Sequence, residues 1–100
     1  MARTPEAKVK AEIKTILKQH DVYYVMPMGT GYGKSGVPDF ICCVGGKFVA
    51  IEAKAKGNTV TALQDKNLRQ IEAAGGIALV VDELTLDLLR GTVKLFKEQG

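Results

Sequence analysis

Hydrophobic positions along the chain alternate between helical and strand-like spacing. Val9, Ile13, Ile16, Leu17 and His20 recur at helical spacing and form the buried stripe of a first helix. Thr4 is a good N-cap for it, Pro5 fits the first helical position, and Glu6 suits the first turn. Residues 22–26 read as a short strand, and 28–36 as a glycine-rich loop. Apolar runs over 37–44 and 47–55 flank Gly45-Gly46, a strong two-residue hairpin signal. Gly57-Asn58 is a turn, and Thr61 caps a helix running to about Ala74, with Leu63, Leu68 and Ile71 facing the core. Gly75-Gly76 ends that helix. The continuous apolar run 77–81 reads as a buried strand, parallel to a neighbour because a helix precedes it. Asp82 or Thr85 caps a last helix carrying Leu84, Leu86, Leu88 and Leu89. Gly91 is expected to interrupt it before Val93, Leu95 and Phe96 continue an amphipathic tail. The order is αβββαβα, an α/β fold in which helices flank a small mixed sheet.

The hairpin carries the chemistry. With Gly45-Gly46 as its loop, Val44 faces Lys47 and Cys43 faces Phe48, and the same count places Asp39 opposite Glu52. Side chains alternate faces, so Glu52 and Lys54 share a face, and Asp39 joins them. Two carboxylates facing each other across a ladder destabilise a sheet. A hard divalent cation would relieve that repulsion, and oxygen ligands suit magnesium, manganese or calcium. An open site of this kind suits phosphodiester hydrolysis, with Lys54 orienting water or offsetting charge in the transition state. Taken singly, each residue has a plainer use: Asp39 in a turn after Pro38, Glu52 and Lys54 on a solvated strand face. The three in one register favour the metal site.

Pro38-Asp39 followed by Glu52-x-Lys54 resembles the core of PD-(D/E)xK nucleases. The fuller string, Gly36 to Ile41, Ile51 to Lys54, then Gln64 and Gly75-Gly76, resembles the VRR-NUC branch of that superfamily, in its small stand-alone, phage-like form. The similarity runs from about Glu6 to Val80-Val81. It implies a restriction-endonuclease-like αβββαβ core and a metal-dependent DNA endonuclease, often one acting on branched or flapped DNA. It also implies that an acidic residue of the first helix reaches the metal, Glu6 or, second, Glu12, and that Gln64 lies at the active site. Asp39 and Glu52 are then the metal ligands, with Glu6 and the Ala53 carbonyl as further ones, Mg2+ or Mn2+ as the cofactor, and Lys54 as the catalytic lysine.

Composition narrows the class without deciding it. With 46% hydrophobic and 25% charged residues, the chain suits one soluble globular domain over residues 1–100. No apolar run reaches transmembrane length, and the basic N-terminus lacks the apolar stretch of a signal peptide. A cytoplasmic location is expected, that of a host cell if the chain is phage-encoded. Cys42 and Cys43 point to opposite faces and are expected to be free thiols, buried or half-buried. The net charge of +3 permits a nucleic-acid partner. Arg3, Lys8, Lys10, Lys14 and Lys18 load the first helix, either as phosphate contacts or as a solvated face.

The loop offers Gly31-x-Gly33-x-x-Gly36, a formal dinucleotide fingerprint, and Gly33-Lys34-Ser35, which resembles a P-loop end but has Met28 where that loop needs glycine. Both motifs need a helix next, and a strand follows instead. The loop is better read as presenting Tyr32, Lys34 and Ser35 to DNA beside the metal site, with Lys56 and Lys66 as further contacts. Branched DNA such as a Holliday junction needs paired cuts, and symmetric pairing of a small chain is the simplest way to make them. A homodimer is expected, with the C-terminal tail and first strand as candidate surfaces. A flap cutter, a nickase, a restriction-like enzyme and a catalytically silent DNA-binding module are the alternatives.

Overall fold

The computed structural model describes residues 3–28 and 35–100. Tyr32 and Lys34 therefore lie outside the described residues. The elements are α1 (Pro5–Gln19), β1 (Tyr23–Val25), β2 (Phe40–Val44), β3 (Lys47–Ala53), α2 (Ala62–Ala73), β4 (Ile77–Val81) and α3 (Leu86–Gln99). The sheet runs β1-β2-β3-β4, antiparallel across the first two pairings and parallel across the last. A parallel neighbour requires a crossover, and α2 provides it.

The hairpin turn sets the register. Gly45 and Gly46 have φ of +56° and +81°, the left-handed pair that matches the twist of a two-residue hairpin. Val44 faces Lys47, and the ladder runs to Phe40 opposite Ile51, as the sequence count requires. One sheet face carries Phe40, Cys42, Val44, Val49, Ile51, Ala53 and Val81, which form the core with Val9, Ile13, Ile16 and Leu17 of α1 and Leu89 and Val93 of α3. On the other face α2 packs against β4. This helix ends in paired bonds, Gly75 N–H to the Glu72 carbonyl and Gly76 N–H to the Ile71 carbonyl, with Gly75 at φ +97°.

Several sequence expectations are corrected. β2 starts at Phe40 rather than residue 37, because Pro38 has no N–H to give a ladder. β1 and β3 are shorter than 22–26 and 47–55. β4 is an edge strand; only Val81 is buried and Val80 is 47% exposed. Gly91 does not interrupt α3, because the apolar stripe through Leu89 and Val93 anchors the helix on both sides of it. Leu63 is exposed rather than core, and Leu84 lies ahead of the last helix, which starts at Leu86. His20 caps the end of α1, half-buried, with Nδ1 3.0 Å from the Ile16 carbonyl oxygen. Cys42 is buried and its thiol is pushed up to about 12 by burial, whereas Cys43 is exposed. No helix among the described residues is long and apolar enough to cross a membrane.

Candidate active site

Asp39 and Glu52 stand one step beyond the last hairpin pair, Phe40 and Ile51, at the open end of the ladder. Asp39 continues the pairing with its side chain: its Oδ2 accepts the Ala53 N–H at 2.8 Å. That bond holds the Asp39 carboxylate against the Ala53 peptide group and beside Glu52. Glu52 is 2% exposed, and Lys54, just past the strand end, is 9% exposed. The Lys54 N–H donates to the Val81 carbonyl at 2.9 Å, so β4 fixes the backbone that carries the ammonium.

Gln64 reaches this cluster from the first turn of α2. Its N–H donates to Thr61 Oγ1 at 3.2 Å, and its Oε1 accepts the Thr61 N–H at 2.9 Å, a reciprocal cap. With Oε1 so engaged, the amide nitrogen points outward and donates to Glu52 Oε2 at 3.2 Å. The helix start thus orients a hydrogen bond onto a buried carboxylate.

The electrostatics follow from the crowding. The Glu52 carboxyl is pushed up to about 7, first by burial, then by the charge of Asp39 and a hydrogen bond with it, with Glu6 adding to the rise; Lys54 pulls it down. Glu6 therefore acts on the cluster from α1, half-exposed. Glu12 is exposed and does not figure among the charges that shift Glu52. Lys10 spans the gap between α1 and the hairpin, with Nζ 3.3 Å from Asp39 Oδ1 and 3.8 Å from Glu6 Oε2.

Among known folds, a solved structure described as a VRR_NUC domain protein superposes on this chain with a TM-score of 0.71 and 16% identity, covering 100% of this chain and 93% of that one. The chain has the VRR_NUC fold. No family model and no curated protein matches its sequence. The restriction-endonuclease-like α/β arrangement expected from the sequence is the one found.

Within this VRR_NUC fold, Asp39, Glu52, Lys54, Gln64 and Glu6 converge on one end of the sheet. Ser35, Lys56 and Lys66 are exposed and join no part of the cluster. The Ser35 carbonyl accepts from Asn67 Nδ2 at 3.1 Å, and the Lys56 N–H donates to Glu83 at 2.7 Å. An apolar groove of about 540 Å³ lies between Pro38, which precedes β2, Ile41 and Phe48 on the sheet, and Ile71 on α2, and none of the charged groups of the cluster lines it.

Three contributors escaped the sequence reading. Lys10 sat in a run of helical lysines, though its place one turn after Glu6 marks the same edge of the helix. Thr61 is more than a simple cap: threonine followed three residues later by glutamine is the reciprocal-cap pattern. Asn67, 4% exposed, bonds Ser35 and the Leu63 carbonyl and so fastens the end of the glycine loop to α2. Gly36 beside it has φ +77°, and an added Cβ would lie 2.7 Å from Leu63 Cγ. No periodicity reveals that contact.

Proposed function

We propose that this chain is a divalent-metal-dependent DNA endonuclease that resolves four-way junctions as a homodimer. The observation that carries the proposal is the Asp39–Glu52 pair, two carboxylates held together at a strand end with one of them buried. Their donor set suits a hard cation. Among the described residues no three acidic, histidine or cysteine side chains gather to hold a metal unaided. Two carboxylates leave a shell open to water and phosphate oxygen, the arrangement that suits Mg2+ or Mn2+. Asp39 and Glu52 would hold the ion, with the Ala53 carbonyl as a further ligand and Glu6 contributing directly or through water. A bound metal supplies polarisation of the scissile phosphate and a water of lowered pKa.

The chain's own groups do the rest. Gln64 keeps Glu52 Oε2 in a fixed orientation. Lys54 presents an ammonium from a strand end pinned to β4, where it offsets charge developing on the phosphate or orients the attacking water. Lys56, Lys66 and Ser35 offer exposed contacts to the backbone of branched DNA, together with Tyr32 and Lys34 as read from the sequence. Pairing of two copies would bring two such sites to opposing strands. Tyr23 and Val25 on β1, and Leu88 and Leu95 on α3, are exposed apolar candidates for that contact.

The test incubates the protein with four-way, flap and linear DNA, with Mg2+, Mn2+ or chelator, beside Asp39→Asn. Metal-dependent junction cleavage that the variant loses is the expected outcome. Cleavage of flaps alone would keep the site and discard junction resolution. Binding without cleavage of any DNA would make the chain a silent binding module. A sedimentation profile showing a monomer that still resolves junctions would remove the dimer.

A further inference from the structure

Glu6 acts on the Asp39–Glu52 pair from α1 without joining it, and beside the pair stand two ammonium groups, Lys10 and Lys54. Their positions differ in kind. Lys54 sits on a backbone locked into the sheet and is almost wholly buried. Lys10 lies on the outer edge of α1, its side chain 37% exposed, and reaches Asp39 Oδ1 at 3.3 Å while staying within 3.8 Å of Glu6. Asp39 Oδ2 is already bonded to the Ala53 N–H, so Oδ1 is the oxygen Lys10 occupies. A cation binding at Asp39 therefore competes with an ammonium that the protein itself supplies. A half-exposed lysine on a four-carbon stem can leave at little cost, because surface ion pairs are weak.

We infer that Lys10 is a displaceable counter-ion: it neutralises Asp39 until a divalent cation takes that carboxylate, and the freed ammonium then binds a DNA phosphate. This rests on the metal-dependent nuclease reading above. Two like charges cannot share Asp39 closely, so metal entry expels Lys10 toward solvent. A DNA backbone at the metal is the nearest new anion. Lys10 would then add to DNA affinity only after the metal is loaded, tying substrate binding to readiness for chemistry.

The experiment has two readouts besides cleavage. Mn2+ binding is measured by calorimetry on the wild-type chain, Asp39→Asn, Lys10→Met, Lys10→Gln and Lys10→Arg. Removing the lysine charge should tighten Mn2+ binding by about three- to fivefold, while Lys10→Arg stays near wild type. Four-way junction affinity is then followed against salt, with and without Mn2+, in a Lys54→Ala background that blocks cutting. With metal, Lys10→Met should lower the salt slope by about one; without metal, the slopes should coincide. Unchanged Mn2+ affinity in Lys10→Met and Lys10→Gln, with binding lost in Asp39→Asn, would overturn the inference and leave the nuclease reading standing. An equal drop in slope with and without metal would make Lys10 a permanent phosphate contact and also overturn it. No Mn2+ binding by the wild type would sink both.

Discussion

The side chain of Gln64 joins two structures that would otherwise be independent, the start of α2 and the carboxylate pair. Its Oε1 closes the cap with Thr61, and its nitrogen holds Glu52. Thr61→Ala should cost about 1 kcal/mol of stability in urea denaturation, the usual value of a lost cap. It should also weaken metal-dependent activity, because the amide loses the bond that orients it. If Glu52 holds the metal as proposed, Gln64→Ala should lower metal affinity or activity roughly 10- to 100-fold, as loss of a supporting hydrogen bond to a ligand does. A double-mutant cycle between the two should be non-additive, and additive effects would separate cap from site. At this scale the sequence was informative where a residue's position follows from counting. Asp39 and Glu52 face each other because a two-residue turn fixes the register. Lys10 was opaque because helical spacing gives its own face, not which strand end that face meets.

Elements tell a similar story with a different limit. The hairpin was readable because its turn chemistry is local. The last helix was not, because a glycine's cost is local but the packing that overrides it is tertiary. Gly91 is exposed, and an added Cβ would meet nothing within 4 Å. Gly91→Ala should therefore stabilise the protein by about 0.5–1 kcal/mol, raising the melting temperature by a few degrees without touching the site. A lower melting temperature would mean that the position serves a contact outside this chain. β4 shows the converse error. Its unbroken apolar run suits burial on both faces, yet β4 ends the sheet order and has a single strand neighbour, which leaves Val80 47% exposed. Apolarity counts residues and does not count neighbours.

Across the whole molecule, the fold class and the order of elements along the chain were legible because every element had its own pattern and the connections are short. The electrostatic state of the site was not, because it depends on how much water the folded sheet removes from Glu52. That removal has a measurable consequence for stability. Burial and the adjoining Asp39 charge push the Glu52 carboxyl up from 4.5 to about 7, so the folded state holds its proton to higher pH. The associated stability is fully present below about pH 4.5 and is lost as pH rises through about 7. The loss should appear in the metal-free protein as a lower urea midpoint at pH 8 than at pH 5. Glu52→Gln should flatten that dependence. A wild-type midpoint that rises from pH 5 to pH 8 would contradict the burial argument.

The placing of both carboxylates on one hairpin also orders events in time. Asp39 and its backbone partner Ala53 are 14 residues apart, joined by a tight turn, so they meet within the microseconds in which hairpins close. Gln64 and Lys10 belong to elements that dock only when the sheet and its helices assemble. In the undocked hairpin water still reaches Glu52 and Lys54 stands beside it, so the full penalty on its charge comes only when docking buries it. The docking that buries Glu52, rather than closure of the hairpin, is then the step that draws on protons or cations from the surrounding solution.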